Sequence, residues 1–194
     1  PKEAKETSFY LQPGGAVSSS TPSAGLDEYV SDPANPVPYQ GGAIRNRTRE
    51  YMIDDQRFAT ARKDVLSFKS EPMKKPLTVA GPVNADLFVS MTGTDADFVV
   101  KVIDVFPDDA PGKLAGYQML VRAEIMRGKF RNSYQNPQPF KPGEPTEVAY
   151  EMPDIFHTFL PGHRMMIQVQ SSWFPLVDRN PQKFVDIYHC KPED

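Results

Sequence analysis

Histidine is the residue type with the widest choice of chemistry, and this chain has three. His157 and His163 lie on either side of a Pro161-Gly162 turn, so both imidazoles could reach one site. A zinc centre would need a third ligand at a suitable spacing, and none is apparent in the sequence. We therefore interpret His157 and His163 as hydrogen-bonded structural residues and His189 as a surface residue.

Five aspartates lie in or beside the apolar stretch of residues 97–106. Closely spaced carboxylates can bind calcium. The group comprises Asp95, Asp97, Asp104, Asp108 and Asp109. Their spacing is not that of an EF-hand loop, so we favour a structural interpretation. In it, Asp97 and Asp104 cap turns or pair with basic side chains such as Arg122 or Arg164. The sequence predicts no metal site and no cofactor.

A nucleophilic serine on a strand-to-helix elbow needs small neighbours, as in the pattern G-x-S-x-G. No glycine of this chain is followed by a serine two positions later. Ser18, Ser19 and Ser20 fall in a flexible turn, and Ser171 and Ser172 fall in a strand-like segment. The single cysteine, Cys190, excludes an internal disulfide framework. No catalytic residue is predicted in the chain.

Composition narrows the class of protein. A length of 194 residues suits one domain with a real hydrophobic core. Basic and acidic residues number 22 and 25, a net charge of −3, so no clustered basic field indicates nucleic-acid binding. No apolar run approaches the ~18 residues that cross a bilayer, so no membrane partner is predicted.

Alternating side chains and frequent prolines predict an all-β fold. The 20 prolines are spread along the chain and favour short strands and turns over helices. The strands are predicted at residues 65–70, 77–80, 85–91, 97–106, 117–127, 146–152, 165–173 and 184–189. Residues 97–106 are apolar on both faces, which is typical of a central strand covered on both sides. Residues 1–64 are predicted to be an irregular segment and loop packed on a 65–194 sandwich, one domain in total.

Two of these strands carry specific predictions of facing. In residues 117–127 the inward side chains are predicted to be Tyr117, Met119, Val121, Ala123 and Ile125. In residues 165–173 they are predicted to be Met165, Ile167, Val169 and Trp173, opposite Gln168, Gln170 and Ser172.

Six segments occur in a specific order and together cover most of residues 26–181. They are YVSDPANPVP (29–38), DVLSFKSEPM (64–73), DADFVVKVIDVFPDD (95–109), LVRAEIMRGKFRNS (120–133), PFKPGEPTEVAYEMPD (139–154) and DIFHTFLPGHRMMIQVQSSWFPLVDRNP (154–181). This series resembles the C-terminal domain of the X-Pro dipeptidyl-peptidase and cocaine esterase-type serine hydrolases. The similarity is greatest to the branch of alpha-amino-acid ester hydrolases and glutaryl-7-aminocephalosporanic acid acylase-like enzymes.

The resemblance implies a jelly-roll β-sandwich of the galactose-binding-like type. It also implies that the serine, aspartate and histidine of the hydrolase lie in a separate α/β-hydrolase catalytic domain of the same parent protein. This chain would then be non-catalytic, supporting that domain and helping to wall its acyl pocket. In the family the sandwich continues past the position of Cys190 to one more strand, so an open sheet edge is expected here.

The segment GGAIRNRTREYMIDDQR, residues 41–57, is the strongest candidate for function. By the resemblance, it lies where the sandwich meets the catalytic and cap domains. Ile44, Tyr51 and Met52 are then the predicted pocket-lining residues. The alternative interpretation is an ordinary mobile surface loop.

A second function class stays open at this point. The corner Trp173-Phe174-Pro175 could stack on a sugar ring, as in a free-standing carbohydrate-binding or adhesion module. Core or domain-interface packing is the favoured interpretation of this corner. A homo-oligomer is compatible with the sequence, as is a secreted or periplasmic parent enzyme. Neither the substrate nor the compartment is predicted.

Overall fold

The protein is a β-sandwich, seen here in a computed structural model that describes residues 4–42 and 49–191. The strands are β1 (Tyr10–Gln12), β2 (Ala16–Ser18), β3 (Val65–Lys69), β4 (Leu77–Val89), β5 (Asp97–Val105), β6 (Gln118–Arg127), β7 (Thr146–Phe159) and β8 (Arg164–Gln170). One helical turn, α1 (Arg57–Thr60), precedes β3. Within these described ranges no helix is both long enough and apolar enough to cross a membrane. The predicted all-β sandwich is confirmed, and its galactose-binding-like classification stays a prediction.

The strands form a large and a small sheet. The large sheet has six strands in the order β1-β2-β3-β8-β5-β6, and the small sheet pairs β4 with β7. β5 is the structural centre because it pairs antiparallel with β6 on one side and with β8 on the other. β1 and β2 extend the sheet beyond β3, through a parallel contact between Ala16 and Lys69.

The main core lies between the two sheets and follows from the two-residue period of a strand. Val100 and Val102 of β5 face Val148 and Met152 of β7 within one buried cluster. On β7, Glu147 and Glu151 alternate with the buried residues and are exposed. This alternation is the one predicted for residues 146–152.

The opposite face of the large sheet is covered as well. Val99 and Ile103 of β5 point to this second face, where Val99 packs in a cluster with Tyr39 and Trp173. All nine residues of β5 are therefore buried. The prediction of a central strand covered on both sides is confirmed, and the described part of the cover is residues 37–42, 49–60 and 173–177.

β4 is one strand where the sequence predicted two. The Gly81-Pro82 pair was expected to end a strand, but pairing with β7 continues past it from Leu77↔Phe159 to Val89↔Thr146. The register shifts between Gly81 and Val83. A β-bulge absorbs the missing donor of proline, so the strand bends without ending.

β6 also contains an irregularity, and it reverses part of the predicted facing. Val102 pairs with Arg122 but Ile103 pairs with Leu120, so Val121 is the extra residue. Val121 packs on the core between the sheets, whereas Ala123 and Ile125 pack on the second face. The prediction that Val121, Ala123 and Ile125 share one face is wrong because a bulge changes the parity of the residues beyond it.

The C-terminal predictions are partly wrong. β8 ends at Gln170, so Trp173 is not in the strand and packs on the second face, opposite Val169. Gln168 and Gln170 are fully buried beneath the cover of that face. Residues 184–189 form turns and bends instead of a strand.

Val169 tests the position of β8 in the core. The side chain is buried between the sheets, so Val169→Asp would place an unpaired carboxylate there. We expect a loss of about 3–5 kcal/mol in the free energy of unfolding, measured by urea denaturation of the chain. Phe156→Asp is the control because Phe156 is 80% exposed on β7. Equal stability of the two variants would contradict the placement of β8.

Candidate functional site

Residues 49–58, which we call the overlying segment, cross the second face of the large sheet. The segment contains a 3-10 turn at Glu50–Met52 and the start of α1. It holds two of the three predicted pocket residues, Tyr51 and Met52. The third, Ile44, lies outside the described residues.

The overlying segment is fixed to β6 by its backbone. The Tyr117 hydroxyl donates a hydrogen bond to the carbonyl oxygen of Ile53. The Gln56 amide donates to the Gln118 carbonyl at 3.0 Å. On the other side, the Gly41 amide donates to Asp54 Oδ2 at 2.5 Å. These bonds connect residues 53–56 of the segment to the chain at Tyr117 and Gln118 and to Gly41.

Aromatic packing holds the first half of the segment. The Tyr51 ring lies between the rings of Tyr39 and Trp173, at centroid distances of 5.3 Å and 5.9 Å. Such tilted and edge-on contacts stabilise packed rings beyond their buried area. Trp173 is 7% exposed, so it has no open face for a sugar ring. The favoured interpretation of Trp173 as a packing residue is confirmed.

The same segment presents apolar side chains to solvent. Met52 is 48% exposed and Ile53 is 71% exposed. Tyr51 therefore packs inward and Met52 points outward, so the two predicted pocket residues have different surroundings. Ile53 was not predicted, although its place beside Met52 in an otherwise polar stretch was a readable signal.

Lys101 is the most unusual residue beneath the overlying segment. It lies in the middle of β5 with 0% exposure. Its Nζ donates to Gln56 Oε1 at 3.1 Å and lies 5.5 Å from the Trp173 ring centroid and 5.8 Å from that of Phe58. Burial lowers the pKa of the Lys101 ammonium to about 7. Lys101 was not among the predicted site residues, although a lysine within FVVKVID is a visible exception to an apolar run.

The two turn-flanking histidines share one buried carboxylate. Asp104 Oδ2 is 2.9 Å from His157 Nε2, and Asp104 Oδ1 is 2.9 Å from His163 Nδ1. Asp104 lies on β5, His157 on β7 and His163 just before β8, so the cluster ties the small sheet to the large one. The prediction that both histidines are hydrogen-bonded structural residues is confirmed.

Asp97, at the other end of β5, also has structural partners. Asp97 accepts two hydrogen bonds of 2.9 Å from Arg127 and one of 2.8 Å from Asn180. The expected pairing with a basic side chain is confirmed in kind, but the named partners, Arg122 and Arg164, are wrong. Bulge geometry brings Arg127 opposite Asp97 in the β5–β6 register. Across residues 4–42 and 49–191, no three histidine, cysteine or acidic side chains are grouped as metal ligands.

Removing the Asp104 carboxylate tests the cluster that joins the sheets. Asp104→Asn removes the charge of the shared acceptor and replaces one carboxylate oxygen by an NH2 group, which cannot accept a hydrogen bond from an imidazole N–H in this buried place. We expect a loss of about 2–4 kcal/mol in the free energy of unfolding by urea denaturation. Asp186→Asn is the matched control because its aspartate–histidine pair, with His189, is solvent-exposed. That variant should unfold like the parent, and a similar parent-like result for Asp104→Asn would refute the structural role.

Lys101 predicts a pH dependence of stability. Its pKa is about 7 when folded and has its ordinary value, about 10.4, when unfolded. Between these values the unfolded chain binds a proton that the folded chain has released. The free energy of unfolding should therefore rise with pH, by about 1.4 kcal/mol per pH unit relative to Lys101→Met.

Urea denaturation of both forms between about pH 7 and pH 10 measures this difference. Lys69→Met is the control because Lys69 is exposed on the same sheet. A constant difference between the parent chain and Lys101→Met across this range would show that the amine is not buried as described.

Comparisons with known proteins agree with this geometry. The solved aminopeptidase from the marine sediment archaeon Thaumarchaeota archaeon is 48% identical, with a TM-score of 0.94 over 100% of this chain and 33% of that one. A solved alpha-amino acid ester hydrolase is 44% identical, with a TM-score of 0.92 over 95% of this chain and 32% of its own. Cocaine esterase from Rhodococcus sp. (strain MB1 Bresler) is 40% identical over 184 residues, which is 90% of this chain and 31% of the esterase.

This chain thus spans about a third of the length of each of these relatives. Residues 1–187 match the family described as the X-Pro dipeptidyl-peptidase C-terminal non-catalytic domain. The sandwich, the absence of a G-x-S-x-G elbow from the sequence and the relatives all agree with that description. The chain belongs to the family of X-Pro dipeptidyl-peptidase C-terminal non-catalytic domains.

Proposed function

We propose that this chain supports an α/β-hydrolase-type catalytic domain in a serine hydrolase that cleaves esters or amides of small acyl or aminoacyl groups. The overlying segment forms part of the wall of the acyl pocket. Tyr51 and Met52 are the described residues of this wall, and Ile44 is its third member. The catalytic serine, aspartate and histidine belong to the catalytic domain.

The proposal rests on one observation: the backbone of the overlying segment is held by hydrogen bonds while its apolar side chains are exposed. Tyr117 and Gln118 hold the backbone of the overlying segment, and yet Met52 and Ile53 stand in solvent. Ordering a segment has an entropic cost, and exposed apolar side chains gain nothing from water. A fixed apolar surface of this kind gains free energy when a second surface or an acyl group covers it.

The names of the relatives support an acyl group as the partner of this surface. These relatives are an aminopeptidase, an alpha-amino acid ester hydrolase and a cocaine esterase, and this chain matches about a third of each. An acyl group bonded to nitrogen or oxygen is the common element of peptide and ester substrates. An acyl pocket is therefore the feature of a catalytic domain that an apolar wall would serve.

Shortening the wall should affect binding of larger acyl groups most. In the full-length protein, Met52→Ala removes apolar contact, so KM for p-nitrophenyl benzoate should rise about three- to tenfold. KM for p-nitrophenyl acetate should change less, because a small acyl group does not reach the wall. Tyr51→Ala should act in the same direction, because the ring holds the segment that carries Met52.

Tyr134→Ala is the control for general surface effects. Tyr134 is an exposed aromatic residue beyond the C-terminal end of β6. The contact of Tyr117 with the overlying segment lies at the opposite end, just before the strand begins. The control should leave both KM values unchanged. Equal KM values for the parent and Met52→Ala with both esters would refute the proposed wall.

A further inference from the structure

Lys101 lies fully buried in a strand where an apolar side chain would be more stable. Taking an ammonium out of water costs several kcal/mol unless a charged partner compensates it. Burial alone accounts for its lowered pKa, and no carboxylate in the described ranges forms an ion pair with it. Methionine would fill similar space without this cost. The amine must therefore be explained by what it contacts.

Its contacts connect the sheet to the overlying segment. Gln56 accepts the hydrogen bond of the amine, and Phe58 presents its ring to it. Both residues belong to the overlying segment. The third contact, Trp173, also packs on Tyr51 at the other end of that segment. The amine therefore contacts the last part of the segment directly and its first part through one ring.

Gln56 transmits this contact to the backbone. Its side chain is buried, its Nε2 donates to the Asp54 carbonyl at 2.8 Å, and its carbonyl oxygen accepts the Ala59 amide at 3.0 Å. Fixing the Gln56 amide group thus fixes the turn before α1 and the chain around Asp54. Met52 and Ile53 directly precede Asp54 in the chain.

We propose that Lys101 is a positioning residue that sets how far Met52 and Ile53 stand from the sheet, and so the size of acyl group that the pocket accepts. This inference rests on the proposed function of the overlying segment. The hydrogen bond to Gln56 fixes both a distance and a direction, whereas apolar packing alone tolerates sliding. Burying the amine costs free energy, and the hydrogen bond to Gln56 offsets this cost by fixing the position of the overlying segment.

Replacing both polar partners separates positioning from stability. Lys101→Met alone leaves Gln56 Oε1 buried without its donor, which is destabilising. Lys101→Met with Gln56→Met removes both partners, together with the Gln56 Nε2 bond to the Asp54 carbonyl, so the full-length double variant should melt near the parent temperature and is compared with Gln56→Met alone. A purely structural role predicts that the double variant also regains the parent kinetics. A positioning role predicts that it does not.

Two measurements on the full-length protein decide the matter. The first is hydrogen exchange of the backbone amides of residues 49–58, which should be faster in the double variant by about tenfold, while exchange in β7 stays unchanged. The second is the ratio of KM for p-nitrophenyl benzoate to KM for p-nitrophenyl acetate. It should change by about three- to tenfold, with kcat within about twofold of the parent.

Lys129→Met is the matched control, because Lys129 is another buried lysine bonded to one carbonyl oxygen, that of Val185. It should leave the exchange of residues 49–58 and both KM values as in the parent. Parent-like exchange of residues 49–58 in the double variant would overturn the inference, whatever the kinetics. Faster exchange with an unchanged KM ratio would also overturn it, provided that Met52→Ala alters that ratio. If Met52→Ala has no effect either, the proposed function fails first.

Discussion

Burial of β5 on both faces is the constraint on which the rest of the structure depends. Apolar side chains on either face of a sheet cost free energy as long as they are exposed to water. Because this six-stranded sheet has such side chains on both faces, both faces must be covered. The small sheet of β4 and β7 covers one side. With only eight strands, no third sheet is present among the described residues. The irregular chain of residues 37–42 and 49–60 and the corner at residues 173–177 cover the other side instead.

Irregular chain is an unusual cover because its backbone groups have no ladder partners of their own. Here several polar groups of the sheet and of the cover pair with one another. Gln168 Nε2 donates to Thr60 Oγ1 at 2.7 Å, and the Val37 amide donates to Ser172 Oγ at 2.8 Å. These bonds explain why glutamines and serines occur on a face that is otherwise apolar. A regular sheet would not have needed them.

Much of the fold was predictable because strands carry their pattern locally. The apolar residues on both faces of β5 and the alternation of Val148, Tyr150 and Met152 were sufficient to place the core. The errors occur where a single residue changes parity, as Val121 does in β6. Gln168 and Gln170 have the composition of a solvent-facing row, and only tertiary structure shows that a distant segment covers them. The alternation of side chains shows which face of a strand each residue occupies, but it does not show what packs against that face.

The candidate site was predictable to the level of a segment. Tyr51 and Met52 were named through the resemblance to the hydrolase family, but their opposite orientations depend on the contact between Tyr51 and Trp173. That contact joins residues 122 positions apart, beyond the reach of any local pattern. Lys101 was missed for a different reason. It was treated as one residue of an apolar strand, although a charge in such a strand is informative because it is costly.

The contacts of β5 give the overlying segment two independent connections to the centre of the fold. Lys101 reaches it on the second face through Gln56. On the other face, Asp104 bonds His163, whose ring lies 4.4 Å from that of Phe106. Phe106 packs on Tyr117, which bonds the Ile53 carbonyl. The position of Met52 and Ile53 is therefore determined by the most buried strand of the protein, although both residues lie on its surface. A surface held in this way follows the centre of the sheet, so a change in either connection alters its position even while the sandwich stays folded.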